Sequence, residues 1–166
     1  MTRALALLLL AAPLAACGLR PLYGAGATSA TAQSLREVMV APIDERSGWL
    51  LRNALVDRLA GAGEAADARY RLDVVIDDDI TKFGLRGDAG ATRERRALRA
   101  RYQLVDLATG ETLVDATAGF DAGIDITSSP YATVAAEQSA LERLSMEVAD
   151  DIVARLALYF DRIGTP

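Results

Sequence analysis

The stretch Thr92–Ile126, TRERRALRARYQLVDLATGETLVDATAGFDAGIDI, decides the fold. In its first half Leu98, Ala100, Tyr102 and Leu104 take even positions, while Arg93, Arg95, Arg99, Arg101 and Gln103 take odd ones. A period of two belongs to a β-strand with one face buried. The second half repeats the pattern, with Val114, Ala116, Ala118, Phe120, Ile124 and Ile126 set against Glu111, Asp115, Thr117, Asp121 and Asp125. Antiparallel strands are therefore predicted over about 92–107 and 111–126. Odd residues face outward on both strands, so opposed residue numbers must add to an even total. A three-residue loop, Ala108-Thr109-Gly110, satisfies this and pairs Leu107 with Glu111. A two-residue loop would turn charges inward. Glycine at the third loop position also suits a type I turn followed by a G1 bulge. The register places Val105 opposite Leu113, with Arg101 diagonal to Asp115 and Arg99 diagonal to Asp121.

Working outward, Tyr70, Leu72, Val74, Ile76 and Ile80 alternate with Arg71, Asp73, Asp77 and Asp79. This is another half-buried strand, with Val75 an apolar exception on its polar side. A loop from Lys82 to Gly90 links it to the arginine strand. Upstream, Val38–Ile43 reads as a short strand whose end Pro42 marks. Ser47 is a good N-cap for a helix over about 48–60, with Leu51, Leu55 and Leu59 as its apolar stripe and Trp49 as cover for the core. Ser129 and Pro130 open a last helix over about 130–162, striped by Val134, Leu141, Leu144, Val148, Ile152, Leu156 and Tyr159. The order is β-α-β-β-β-α. The economical solution is an α+β, two-layer sandwich: two helices packed on one face of a four-stranded, mostly antiparallel sheet. The other sheet face is charged.

The amino terminus carries an address. Arg3 precedes the apolar run Ala4–Ala12, and Leu14-Ala15-Ala16 leads into Cys17, the single cysteine. Basic start, short apolar centre and small residues at the cut are the order of a secretory signal. A cysteine directly after them is the lipobox pattern, which directs lipidation of the thiol and cleavage before it. The expected organisation is a signal peptide over 1–16, a lipidated tether over 17–34 and one α+β domain over 35–163. Three acyl chains of roughly 15 CH₂ groups each, at ~0.8 kcal/mol per CH₂, would anchor the chain effectively permanently. Gly18, rather than aspartate, follows the cysteine and favours the outer membrane.

Composition narrows the function. The chain has 18 basic and 23 acidic residues, net −5, and loss of Arg3 with the signal makes it −6. An acidic chain is a poor general binder of nucleic acid. There is no histidine, and an acylated Cys17 leaves no free thiol. The commonest general base, the commonest metal ligands and the cysteine nucleophile are thus missing. Lys82 is the single lysine, and no nucleophile elbow or phosphate loop is present. The expectation is no enzyme, no cofactor and no metal.

Four segments carry a resemblance: Cys17-Gly-Leu-Arg-Pro-Leu-Tyr-Gly24, Leu50-Leu-Arg-Asn-Ala-Leu-Val-Asp-Arg-Leu59, Asp106-Leu-Ala-Thr-Gly110 and Ser129-Pro-Tyr-Ala132. In this order, behind a lipobox, the chain resembles the lipopolysaccharide-assembly lipoprotein family, LptE. That family's fold is two helices on a four-stranded sheet. The resemblance implies an outer-membrane lipoprotein that plugs a partner β-barrel, LptD, helps it assemble, and serves delivery of lipopolysaccharide to the outer leaflet. Leu19 stands where the family pattern leads one to expect phenylalanine, and the 82–90 loop departs from it. A general outer-membrane lipoprotein adaptor of another lipid-transport or secretion system is the alternative.

Lipopolysaccharide carries phosphates, and arginine binds phosphate through a planar fork. Arg93, Arg95 and Arg96, with Lys82 and Arg86 in the preceding loop, are therefore the candidate lipid-contacting residues. Arg99 and Arg101 have better-defined acidic neighbours. Leu19, Leu22 and Tyr23 in the tether are candidate partner contacts, as are Val75, Val105 and Leu113 as an apolar patch on the charged face.

Overall fold

The computed structural model describes residues 30–59, 68–85 and 91–164. In chain order the elements are α1 (Ala30–Arg36), β1 (Val38–Val40), α2 (Glu45–Arg58), β2 (Tyr70–Leu85), β3 (Ala91–Asp106), β4 (Thr112–Asp125) and α3 (Pro130–Gly164). The sheet order is β1-β2-β3-β4. Strand β1 runs parallel to β2, with Val38 opposite Tyr70, and the crossover between them is α2. The remaining pairs are antiparallel.

Parity puts the core where the alternation places it. Leu72, Leu98, Ala100, Tyr102, Leu104 and Ala118 are buried on one sheet face. Leu51 and Leu55 of α2 and Leu144, Val148, Ile152 and Leu156 of α3 cover them. Burying each large aliphatic side chain contributes ~1.5–3 kcal/mol. The fold is the expected α+β sandwich, with α1 as a third, short helix. Ala30–Ser34, which composition assigned to the tether, begin α1; Leu35 leans on the core and α1 packs against α3.

Three local readings change. Helix α2 starts at Glu45 and not at Gly48. Ser47 is no cap but a buried residue of the first turn. Gly48 is required by close approach, since a Cβ there would stand 2.8 Å from the Ile43 carbonyl oxygen. Trp49 does not cover the core; it is 61% exposed. It precedes Leu51 by two residues, about 200° around a helix, so the stripe that buries Leu51 points Trp49 outward.

The β3–β4 turn is one residue longer than parity suggests. The Gly110 N–H donates to the Asp106 carbonyl at 2.8 Å, and the Asp106 N–H donates to the Glu111 carbonyl at 2.9 Å. The loop is thus Leu107–Gly110, with Gly110 at φ 71°. Val105 then faces Thr112 instead of Leu113. A bulge restores the expected register one step later, with Leu104 opposite Val114 and Gln103 opposite Asp115. Leu113 is the extra residue, and it leans on the core. The two shifts cancel, so every outward arginine still faces outward.

The Lys82–Gly90 loop is also shorter than expected. Residues 82–85 continue β2, with Lys82 opposite Glu94 and Phe83 opposite Arg93. Helix α3 begins at Pro130 as expected, and the Ser129 carbonyl accepts the N–H groups of Ala132 and Thr133.

Candidate functional site

The arginine strand β3 lies between two acidic strands, and its side chains divide by parity. On the outward face Arg101 binds Asp115 at 2.8 and 3.0 Å, and Gln103 adds a hydrogen bond to the same carboxylate at 2.9 Å. The Arg101 and Gln103 hydrogen bonds hold the Asp115 carboxyl down at about 2. Arg99 donates to Asp121 at 2.9 Å and to the Phe120 carbonyl at 2.9 Å. Both are diagonal pairs, as the register predicts. Arg93 reaches Asp125 at 3.1 Å, and both side chains are largely exposed. Arg95 differs. Its lateral neighbours are Thr81 and Gly123, neither of them acidic, and it has no ion pair among the described residues.

Arg96 is even-numbered and points the other way, toward the helices. Its fork meets Asp78 at 2.6 and 2.8 Å, and a third N–H donates to the Glu137 carbonyl of α3 at 2.9 Å. The two side chains are only 12% and 14% exposed. Arg96 therefore joins the sheet to α3 and does not belong to the outward row of Arg93 and Arg95. Lys82 is also on the helix side, 3.3 Å from Glu94, whose side chain is 1% exposed. Glu137 stands over Glu94, and its carboxyl is raised, first by desolvation and then by its hydrogen bond to Glu94 and the charge there.

This inner cluster of Asp78, Lys82, Glu94, Arg96 and Glu137 escaped the pattern reading. The signal was present: Asp78, Glu94 and Arg96 sit at even positions in strands whose even positions are core. A charged residue at an inward parity is a buried charge and requires a partner.

The proposed apolar patch does not form. Val75 is 73% exposed at the level of Arg101, whereas Val105 is at the level of Arg71. They are four residues apart along the strands, about 13 Å, with Asp73 and Gln103 between. Leu113 has moved into the bulge. Cys17, Leu19, Leu22, Tyr23 and Arg86 lie outside the described residues.

Among the described residues no helix is long and apolar enough to cross a membrane, and no cluster of side chains is suited to a metal ion.

The family model for lipopolysaccharide-assembly LptE matches residues 35–156, which carry nearly all of this sandwich. The chain belongs to the LptE family. LptE-family members are lipopolysaccharide-assembly lipoproteins, not enzymes. Three solved structures share the LptE-like fold. A putative lipoprotein from Caulobacter crescentus is 24% identical, with 79% of this chain and 96% of that one covered and a TM-score of 0.63. The rare lipoprotein B of Shewanella oneidensis is 11% identical, with 76% and 98% covered and a TM-score of 0.59. A minor lipoprotein from Acinetobacter baumannii is 15% identical, with 74% and 92% covered and a TM-score of 0.57. No curated protein sequence matches significantly.

Proposed function

We propose that the protein is an outer-membrane lipoprotein, anchored through Cys17, that plugs and helps assemble an LptD-type β-barrel delivering lipopolysaccharide to the outer leaflet. The LptE family match over residues 35–156, nearly all of the sandwich, carries this reading. The lipobox before Cys17 supplies the anchor, and the tether with Leu19, Leu22 and Tyr23 docks on the barrel. A plug contributes a shape and a charge pattern, so a protein without histidine or a free thiol suits the role.

Within this reading, lipopolysaccharide phosphate is met by the outward-facing Arg95 and Arg93, joined by Arg86; Lys82 lies on the opposite, helix-side face, paired with Glu94, and is outside this row. Among the described residues Arg95 has no ion pair that a phosphate must displace. The Arg93–Asp125 pair is solvent-exposed, and exposed pairs contribute ~0–1 kcal/mol, so a phosphate can compete for Arg93. Arg96 is held by Asp78 and Glu137 and takes no direct part.

Two experiments test the proposal. A tagged chain extracted in mild detergent is expected to bring down an outer-membrane barrel in equimolar amount. Capture of a different assembly, with no barrel, would support the adaptor alternative and end the plug reading. Separately, Arg93→Glu with Arg95→Glu is expected to weaken lipopolysaccharide binding by the purified protein about tenfold, or ~1.4 kcal/mol. Unchanged binding removes these arginines from the lipid path.

A further inference from the structure

The two edges of the sheet are not alike. Strand β1 covers only Tyr70–Leu72 of β2. There the Tyr70 N–H donates to the Glu37 carbonyl and the Leu72 carbonyl accepts the Ala41 N–H, each at 3.0 Å. Even residues of β2 therefore direct their backbone groups to this edge. Beyond Leu72 the neighbouring chain turns away at Pro42. Val74, Ile76, Asp78 and Ile80 then offer N–H and C=O groups with no strand beside them among the described residues. The open stretch is about 20 Å long, enough for a docked strand.

Chemistry at this edge is also distinct. A cavity of about 250 Å³ opens where β1 departs, between Pro42–Glu45 and Val74–Ile76. Glu45, on its wall, holds φ at 67°, a backbone conformation unusual for a residue with a side chain. Among the described residues, Asp44, Glu45 and Asp77 are exposed and have no ion pair, and Asp79 accepts from the Thr81 hydroxyl and has no ion pair. The far edge, β4, is different: Asp115, Asp121 and Asp125 are each already held by an arginine.

We propose that the open edge of β2 accepts an extended segment of a partner protein as a fifth strand. Its outward row carries basic side chains opposite Asp77 and Asp79, and its other row carries apolar side chains, one of which enters the cavity beside Pro42. Strand addition of this kind draws affinity from main-chain hydrogen bonds and selectivity from alternate side chains. A second copy of this chain is a poor occupant, because edge-to-edge pairing would oppose Asp77 and Asp79 to the same acids.

The test uses the mature lipidated chain in detergent micelles and a synthetic seven-residue peptide alternating arginine and valine. Saturating peptide is expected to slow amide hydrogen exchange at Val74, Ile76, Asp78 and Ile80 at least tenfold. The same peptide with alternate amides N-methylated, and one with glutamate for arginine, are expected to leave exchange unchanged. Asp77→Lys with Asp79→Lys is expected to weaken the arginine peptide about tenfold. Ile80→Pro removes an edge donor without touching the β2–β3 ladder, and is expected to weaken it several-fold. Equal binding of the N-methylated peptide, or no binding of any peptide, overturns the proposal. So does protection of the four amides before peptide is added, which would mean that the chain's own amino-terminal segment or a second copy occupies the edge. A dependence of that protection on protein concentration identifies the second copy.

Discussion

Breaking the Arg96–Asp78 pair from one side should be costly, and removing it entirely should not. Arg96 makes three hydrogen bonds, two to Asp78 and one to the Glu137 carbonyl, on side chains only 12% and 14% exposed. Arg96→Met keeps the chain length but strands a nearly buried carboxylate and a carbonyl. Removing one partner of a buried ion pair costs about 3–5 kcal/mol. The residual exposure admits some water, which places the expected loss near ~3 kcal/mol. At 2–4 °C per kcal/mol for a domain of this size, Tm should fall by roughly 6–12 °C. Asp78→Leu combined with Arg96→Met removes both charges and should lie within ~1 kcal/mol of the parent, because an apolar pair needs no compensation. The assay is urea unfolding followed by far-UV circular dichroism, since the single tryptophan, Trp49, is too exposed to report burial. If lipopolysaccharide is met by the outward arginines as proposed, the double variant should bind it as the parent does, because Arg96 is not on the outward face. A loss below ~1 kcal/mol in the single variant, or a double variant as unstable as the two singles summed, refutes the reasoning.

Three further outcomes are expected. The raised carboxyl of Glu137 means that the folded state holds this proton more tightly than the unfolded chain. Its unpenalised state is therefore present below the unfolded pKa, and stability is lost as pH rises through the folded one. Glu137→Gln should raise Tm at pH 7, with the gain vanishing below about pH 4 in thermal melts across pH. Asp115 has the opposite sign: its depressed carboxyl stabilises above the unfolded pKa, and that contribution is lost as pH falls from about 4 toward about 2. Asp115→Asn should flatten this acid limb of the stability profile. In α2, Leu51→Ala should cost about 2–5 kcal/mol in urea titration, whereas exposed Trp49→Ala should stay within ~0.5 kcal/mol; equal losses would mean that the helix face has been assigned wrongly.

Much of the fold was legible because strand alternation is a one-dimensional record of burial. Leu98, Ala100, Tyr102 and Leu104 are buried as their parity demands, and the diagonals from Arg101 to Asp115 and from Arg99 to Asp121 follow from register alone. The turn was less legible. A loop one residue longer and a bulge at Leu113 compensate each other, and parity counts only their sum. Helix α2 misled at its start because Ser47 and Gly48 resemble a cap and a helix entry. What Gly48 satisfies is close contact with Ile43, a constraint that no local pattern contains.

The candidate site divides along the same line. Residue order determined which arginines share a face, that one cysteine stands behind a lipobox, and that no histidine is available for catalysis. These are properties of covalent connectivity and strand period. Which arginine of β3 has no ion pair among the described residues was decided only by tertiary structure. Arg95 falls between Thr81 and Gly123, while Arg96, adjacent in sequence, turns inward and is held by Asp78 and by the backbone of α3. The open edge of β2 likewise depends on where β1 stops and how the chain turns at Pro42. Ion pairing and edge exposure are relations between segments distant in sequence, and they acquire values only once the strands are packed side by side.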